Sequence, residues 1–217
     1  MKTILCFGDS NTWGYDPEAS SGAPEPVRHA EGVRWTGVLQ SVLGADYRVV
    51  EEGLNGRTTV HEDPLEEGRN GERYLAPCLQ SHKPVDLVIL MLGTNDLKAR
   101  FHLPAGDVAE GAARLVRLIQ GSGARGRGRS PQVLLVAPPE VTDLGHLPIL
   151  EEKFAGAPEK SLRFPGLYEA WARGLGVGFV NAQQWVRTSR LDGLHLEASE
   201  HRKLGEAMAV SVVQMLG

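Results

Sequence analysis

The sequence of 217 residues has little of what defines several large classes of protein. Its two cysteines, Cys6 and Cys78, are too few for a disulfide-rich scaffold, and we expect two free thiols in a reducing cytoplasm rather than one disulfide. No apolar run approaches the ~20 residues that a transmembrane helix needs. The first residues also lack the long apolar region and cleavage site of a signal peptide, so we expect a cytoplasmic protein.

A strong charge of one sign is also missing. The formal net charge of −4 gives no electrostatic reason to bind nucleic acid or an anionic membrane, and we expect neither partner. The one basic stretch, residues 121–129, places Arg125, Arg127 and Arg129 among glycines, without interleaved aromatic residues. This composition predicts a mobile solvated loop rather than a phosphate or nucleic-acid site.

The chain does have a regular alternation of short apolar runs with helix-like stretches. The apolar runs predict strands at residues 3–7, 48–51, 87–92, 133–137 and 178–181. The helix-like stretches are residues 35–43, 75–81, 108–120, 167–174 and about 198–215. Nearly continuous apolar strands alternating with helices indicate an α/β fold with a five-stranded parallel sheet covered on both faces. Without repeats or long linkers, the sequence predicts a single domain over residues 1–217.

Three polar, glycine-containing clusters follow the first three predicted strands. Ser10 follows the first strand, Gly53 to Arg57 follow the second, and Gly93 to Asp96 follow the third. The carboxyl ends of parallel strands share one edge of the sheet, where open α/β sheets carry their ligand crevice. We therefore expect the three clusters to meet at one site.

Ser10, His195 and Asp192 together supply what nucleophilic ester cleavage needs. Ser10 would attack the ester, His195 would take its proton and return it to the leaving group, and Asp192 would orient the imidazole. The backbone amides of Ser10 and Gly56 and the side-chain amide of Asn95 would form an oxyanion hole. Two other carboxylates near these clusters, Asp9 and Asp96, are interpreted as structural cap and loop residues.

Four blocks of the sequence resemble those of SGNH, or GDSL-type, hydrolases. They are Gly8-Asp9-Ser10, Gly53 with Gly56, Gly93-Thr94-Asn95-Asp96, and Asp192 with His195. The residues around these blocks are similar to the bacterial arylesterase/acyltransferase branch over nearly the whole chain. The resemblance implies a flavodoxin-like three-layer α/β/α sandwich and a serine esterase for short acyl and aryl esters. It also implies acyl transfer to alcohols or peroxide, and a homo-oligomer whose neighbouring subunits narrow the site.

The chain departs from the family pattern near the nucleophile. Asn11 stands where many members have leucine, Tyr15 where close relatives can carry tryptophan, and Gly56 where some have alanine. We interpret Asn11 as tolerable because its side chain follows the nucleophile, and Gly56 as keeping the oxyanion amide in place. The aromatic residues Trp13 and Tyr15 fit a substrate pocket and the core equally well.

Two longer-range expectations concern the rest of the chain. Residues 138–165, which include Phe154, are too long for an ordinary connection and predict both a wall of the substrate pocket and an oligomer contact. The histidines other than His195 stand mostly in polar contexts typical of solvated side chains; they are His29, His61, His82, His102, His146 and His201.

Other functions compete with a cofactor-free serine esterase. A carbohydrate O-deacetylase would use the same scaffold with an open, polar groove, and a binding protein would keep the fold without turnover. A metal site that joins His201 to Asp192 and His195 is disfavoured, because the sequence has no compact ligand motif such as H-E-x-x-H. We therefore expect neither a metal nor a cofactor.

Overall fold

The computed structural model describes residues 1–144 and 147–217, whose strands form one parallel sheet. The strands lie in the order β2-β1-β3-β4-β5, and every neighbouring pair is parallel. Their bounds are β1 (Lys2–Gly8), β2 (Tyr47–Gly53), β3 (Leu87–Met91), β4 (Gln132–Ala137) and β5 (Gly178–Asn181). This is the strand order of the flavodoxin-like fold, so the predicted fold class is confirmed.

Helices connect the strands and cover the sheet. In the described part of the chain they are α1 (Ser10–Trp13), α2 (Pro17–Ser20), α3 (Trp35–Leu43), α4 (Gly71–His82), α5 (Ala105–Gly121), α6 (Pro148–Lys153), α7 (Ala157–Ser161), α8 (Phe164–Leu175) and α9 (Ala198–Leu216). Short 3-10 turns occupy Gly44–Asp46, Asn95–Leu97, Ala99–Phe101 and Ala182–Gln184. None of the helices in these residues combines the length and apolar character needed to cross a bilayer.

Both faces of the sheet are buried under helices. Leu5 and Phe7 of β1 point into a core shared with α4, α5 and α8, whereas Ile4 and Cys6 point into a second core shared with α3 and α9. Successive strand residues face opposite sides of a sheet, which explains the continuous apolar run along β1. Cys6 and Cys78 are free, as the sequence predicts, and they lie buried on opposite faces of the sheet.

The order of the strands reverses between β1 and β3. The chain passes from β1 outward to β2 and then returns to β3 on the other side of β1. Connections that leave neighbouring strands in opposite directions open a crevice at the carboxyl edge of the sheet. Ser10 directly follows β1 and Asn95 lies shortly after β3, so the fold places both beside this crevice.

The basic stretch at residues 121–129 is docked at its start and exposed at its end. The backbone amide of Arg125 donates to the carbonyl of Arg129 at 3.0 Å, and the Arg125 side chain lies 3.3 Å from Asp86. Ala124 is fully buried, and its carbonyl accepts from the Val85 amide at 3.0 Å. The start of the stretch thus docks against the end of the sheet, whereas Arg127 and Arg129 are exposed, as the prediction of a solvated loop requires.

The histidines are also less solvated than predicted. His201 is fully buried, and its Nδ1 accepts from the Trp35 amide at 3.2 Å, which ties α9 to α3 and engages the lone pair of this nitrogen. The ring of His29 is buried and pairs with Asp16 at 3.1 Å. At least one nitrogen of each ring thus has a polar partner, whereas the buried Nε2 of His201 has no hydrogen-bond partner among the described residues. His102 is exposed as predicted, and His146 lies outside the described residues.

Burial of His201 predicts a loss of stability in acid. Burial and the nearby His29 lower the pKa of His201 from 6.5 to about 3. Between these two values the unfolded chain binds a proton that the folded protein does not, so the free energy of unfolding falls as the pH falls, by up to about 1.4 kcal/mol per pH unit. His201→Asn keeps an acceptor for Trp35 and removes this titration.

We expect the stability difference between wild type and His201→Asn to move in favour of the variant between pH 6.5 and pH 4, measured by urea unfolding. The difference between the two proteins cancels the contribution of Asp9, which titrates in both. Burial raises the pKa of Asp9 to about 6, so its protonation stabilises the folded state as the pH falls. A difference that stays constant with pH would contradict the assignment to His201.

Candidate active site

Ser10 lies in a tight turn between β1 and the short helix α1. Asp9 caps this helix, since its Oδ1 accepts from the Asn11 amide at 3.0 Å. The turn requires glycine at position 8, because a Cβ there would lie 2.0 Å from Oγ1 of Thr12 and 2.9 Å from the Met91 carbonyl. The Ser10 amide is at the first position of a helix, where backbone amides have no acceptor within the helix.

A chain of hydrogen bonds joins Ser10 to an imidazole and a carboxylate from the far end of the sequence. Nε2 of His195 lies 2.9 Å from Oγ of Ser10, and Nδ1 of His195 lies 2.7 Å from Oδ2 of Asp192. The other oxygen of Asp192 accepts from the amides of Leu194 and His195, at 2.9 and 3.0 Å. Burial acts to raise the pKa of Asp192, but the hydrogen bonds from His195 outweigh it and lower the pKa, so the carboxylate stays charged.

Asn11 fixes the loop that carries His195. Its Nδ2 donates to the Leu194 carbonyl at 3.0 Å, and its Oδ1 accepts from the Leu196 amide at 3.0 Å. These two bonds hold the peptides on both sides of His195 against α1, and the Asn11 side chain is 2% exposed. Asn11 is therefore tolerated, as interpreted, and in addition has a positioning role that the sequence interpretation did not include. A polar residue at an otherwise apolar family position was the signal for this role.

The three groups predicted as oxyanion donors line one cavity. Ser10, Gly56 and Asn95 all contribute to its wall. Gly56 has a φ of +79°, in the left-handed region that glycine adopts without strain. The Nδ2 of Asn95 donates to the Arg57 carbonyl at 3.2 Å, which orients the amide in the turn after β3.

Asp96 joins the turn after β3 to the loop after β2. Both of its oxygens accept from the Thr59 amide, at 3.1 and 3.0 Å, and Oδ1 also accepts from the Thr59 hydroxyl at 2.6 Å. The hydrogen bond to Asp96 raises the pKa of His61, whose Nδ1 lies 3.0 Å away. Asp96 is fully buried and has the structural role that the sequence predicts.

The cavity beside Ser10 has a volume of about 170 Å³ and a wall of mixed character. Tyr15 and Phe154 contribute to it, whereas Trp13 is absent from the lining and lies under the guanidinium of Arg28, 5.2 Å from the ring centre. The Tyr15 ring stacks on the imidazole of His195, with ring centres 3.8 Å apart. The complete lining is Ser10, Tyr15, Pro26, Asn55, Gly56, Glu66, Thr94, Asn95, Lys98, Leu150, Lys153, Phe154, Leu194 and His195.

Charged side chains form part of this wall, and sequence analysis missed them. Nζ of Lys98, a side chain only 1% exposed, lies 2.8 Å from Asp63 and 3.0 Å from Glu66. Lys153, on α6, lies 3.1 Å from the same Glu66 oxygen. Burial acts to raise the pKa values of both carboxylates, but their bonds to Lys98 lower them, so the pairs stay ionised. No local pattern links residues 63, 66, 98 and 153, which meet only in the folded chain.

A possible metal-ligand group lies away from this cavity. Glu52, Cys78 and His82 each offer one ligand atom, and these atoms lie within 4.8 Å of one another. The His82 ring already pairs with Glu52 at 2.7 Å. Burial, and then the charge of Glu52, raises the pKa of the Cys78 thiol to about 12. The thiol would have to lose this proton to bind a metal, and none of the three residues lines the Ser10 cavity.

The comparison with protein families gives a match to the model described as the GDSL-like lipase/acylhydrolase family, over residues 6–203. The chain belongs to this family. A comparison with curated proteins finds no match. Several solved structures share 38–44% of their residues with this chain, which is more than a shared fold alone requires.

Three such structures match over the full length of both chains. An aryl esterase of M. smegmatis is 44% identical, with a TM-score of 0.94. Est24, a carbohydrate acetylesterase from Sinorhizobium meliloti, is 40% identical, with a TM-score of 0.95. An arylesterase described as putative, from Agrobacterium tumefaciens, is 38% identical, with a TM-score of 0.88. With the family match, these similarities identify this GDSL-like chain as a carboxylic ester hydrolase.

The Asn11 clamp predicts a kinetic defect when it is removed. Asn11→Leu fills a similar volume but loses both hydrogen bonds to the His195 loop. We expect kcat for p-nitrophenyl acetate to fall roughly tenfold or more, because each hydrogen bond contributes about 1 kcal/mol and both position the imidazole. KM should change much less, and urea unfolding would verify that the variant is folded. An unchanged kcat in a folded variant would show that the loop holds its place without Asn11.

Proposed function

We propose that the protein is a serine esterase that hydrolyses short-chain acyl and aryl esters through an acyl-enzyme on Ser10. The observation that carries this proposal is the hydrogen-bonded chain from Asp192 through His195 to Ser10 at the mouth of a small cavity. The same cavity contains the three candidate oxyanion donors. A binding protein has no need for a nucleophile, a base, an orienting carboxylate and oxyanion donors in one place.

The first half of the reaction acylates the enzyme. His195 accepts the Ser10 proton at Nε2 while Oγ attacks the ester carbonyl, and Asp192 stabilises the imidazolium that forms. The negative charge that develops on the carbonyl oxygen accepts hydrogen bonds from the amides of Ser10 and Gly56 and from Nδ2 of Asn95. When the tetrahedral intermediate collapses, the imidazolium gives its proton to the leaving alcohol, and the acyl group stays on Ser10.

In the second half, water attacks the acyl-enzyme with His195 again acting as base, and the carboxylic acid leaves. An alcohol or peroxide that binds in place of water would take the acyl group instead. The apolar side chains of Leu150, Phe154 and Leu194 in the cavity wall favour such an organic acceptor. The volume of about 170 Å³ lies below the roughly 300–1,000 Å³ typical of drug-sized ligand pockets, which supports a short acyl group.

Removal of the nucleophile gives the decisive test. We expect Ser10→Ala to reduce kcat/KM for p-nitrophenyl acetate by at least about 10⁴-fold, because the oxyanion donors alone retain little of the rate. Ser81→Ala, on α4 and outside the cavity, is the matched control and should keep wild-type activity. Rates should not change with a chelator. Comparable rates for wild type and Ser10→Ala would mean that Ser10 is only a helix residue.

A carbohydrate O-deacetylase is the second candidate, and one observation favours it. Oδ1 of Asn55 is buried in the cavity wall, and none of the described residues donates a hydrogen bond to it. Because Oδ1 has almost no accessible surface, a sugar hydroxyl reaches it only if the cavity wall shifts slightly, and the hydrogen bond would then satisfy the unpaired acceptor. The similarity to a carbohydrate acetylesterase points in the same direction.

Substitution of Asn55 separates the two candidates. If a sugar hydroxyl binds Oδ1, Asn55→Leu should lower kcat/KM for a monoacetylated xyloside roughly tenfold more than kcat/KM for p-nitrophenyl acetate. The ratio of the two rates corrects for any disturbance of the neighbouring Gly56. Equal losses on both substrates would remove the support for a sugar ester.

A homo-oligomer, a cytoplasmic location and the absence of a nucleic-acid partner stay predictions of the sequence.

A further inference from the structure

The charged part of the cavity wall belongs to a larger cluster with an excess of positive charge. Its two carboxylates, Asp63 and Glu66, contact four cationic groups. Lys98 contacts both carboxylates, and the guanidinium of Arg100 lies 3.3 Å from Asp63 and 3.6 Å from Glu66. Lys153 and Arg69 lie 3.1 and 3.6 Å from the two oxygens of Glu66. The cluster thus carries more positive than negative charge.

Two of these cations face the cavity. Lys98 and Lys153 line it together with Glu66, whereas Arg69 and Arg100 are not among its lining residues. Among the described residues, Lys98 has two carboxylate partners, and an ammonium group has three N–H donors. Lys153 has the single partner Glu66, and its side chain is 32% exposed at the edge of the cavity. Both lysines therefore have a donor without a carboxylate partner, and Lys153 is the one exposed enough to offer it to a ligand.

Glu66 does not cancel this charge for an incoming ligand. Its Oε1 contacts Lys98, Arg100 and Lys153, so three cations share one oxygen. The partly apolar wall strengthens the attraction of Lys153 for a carboxylate above that at an open surface, because fewer water molecules screen the charge. A short neutral acyl chain would leave the remaining Lys153 donors to water.

We propose that the preferred ester carries a free carboxylate, which binds Lys153 at the cavity edge beside the Lys98–Glu66 pair. This inference rests on the proposed function and adds a substrate class to it. The bond that is cleaved remains the ester bond at Ser10, and the carboxylate takes no part in the chemistry. The carboxylate binds and orients the ester, and this raises the rate only if the carboxylate and the ester carbonyl occupy the cavity together.

Matched pairs of esters test the proposal and locate the carboxylate. The acyl arm compares p-nitrophenyl hydrogen glutarate with its methyl ester, and the leaving-group arm compares 4-acetoxyphenylacetate with its methyl ester. In each pair, kcat/KM is measured after subtracting the Ser10→Ala background. We expect the charged ester to be preferred by roughly tenfold in one arm, with a preference that falls as salt is added.

Variants of Lys153 identify the group responsible. Lys153→Met should remove most of the preference for the charged ester, and Lys153→Arg should keep it. Lys203→Met, which removes a lysine from α9 outside the cavity, is the matched control and should leave the preference unchanged. The readout is the ratio of kcat/KM values for the charged and neutral esters, which a general loss of activity does not move.

The outcomes separate this proposal from the proposed function. The proposal of an anionic substrate is overturned if neither arm shows a preference for the charged ester, or if Lys153→Met leaves the preference intact. In both cases the serine mechanism stands as long as hydrolysis of the neutral esters depends on Ser10. Hydrolysis of the neutral esters that survives Ser10→Ala overturns the serine mechanism itself.

Discussion

The hydrogen bond between Nε2 of His195 and Oγ of Ser10 sets the geometry on which the rest of the site depends. It joins residues 185 positions apart in the sequence at 2.9 Å, so the loop before α9 must be held against the turn after β1. The loop closes on itself, because the Ser189 amide donates to the His195 carbonyl at 2.7 Å. Asn11 then attaches the loop to α1 on both sides of His195.

Glycines permit the close approaches that this arrangement needs. Gly193 has a φ of +68°, and a Cβ there would lie 2.2 Å from the carbonyl of Asp143. A Cβ at Gly53, at the end of β2, would lie 2.0 Å from the backbone nitrogen of Trp13 in α1. Neither backbone atom could move away without shifting a loop of the site. Glycine at these positions therefore determines how tightly the site closes as well as how the chain turns.

The sequence was sufficient to predict the sheet, the alternation of its helices and the constellation of Ser10, Asp192 and His195, because each depends on local pattern or on the shared edge of parallel strands. It was not sufficient to predict the Asn11 clamp or the cluster around Lys98. Both depend on contacts between segments that are far apart in the sequence, and no periodic pattern shows that these segments meet in the folded chain. The burial of His201 was missed for the same reason, since a polar residue in a helix shows its buried partner only once α3 and α9 are packed.

Two pairs of carboxylates near the site differ in the groups that they bind. Asp9 and Asp96 accept hydrogen bonds from neighbouring backbone amides and so shape the turns that carry Ser10 and Asn95. The buried Asp63 and the partly exposed Glu66 pair mainly with side-chain cations, although Asp63 also accepts from the Leu65 amide at 3.0 Å. Ion pairs are weak sources of stability when buried, since desolvation offsets the attraction. Replacing Lys98 alone would leave the buried Asp63 carboxylate without its closest cation, whereas apolar side chains in place of the whole pair would fill the same space at little cost. The ion pairs of Lys98 therefore add little net stability by themselves, which is consistent with the proposed role of positive charge in the cavity wall.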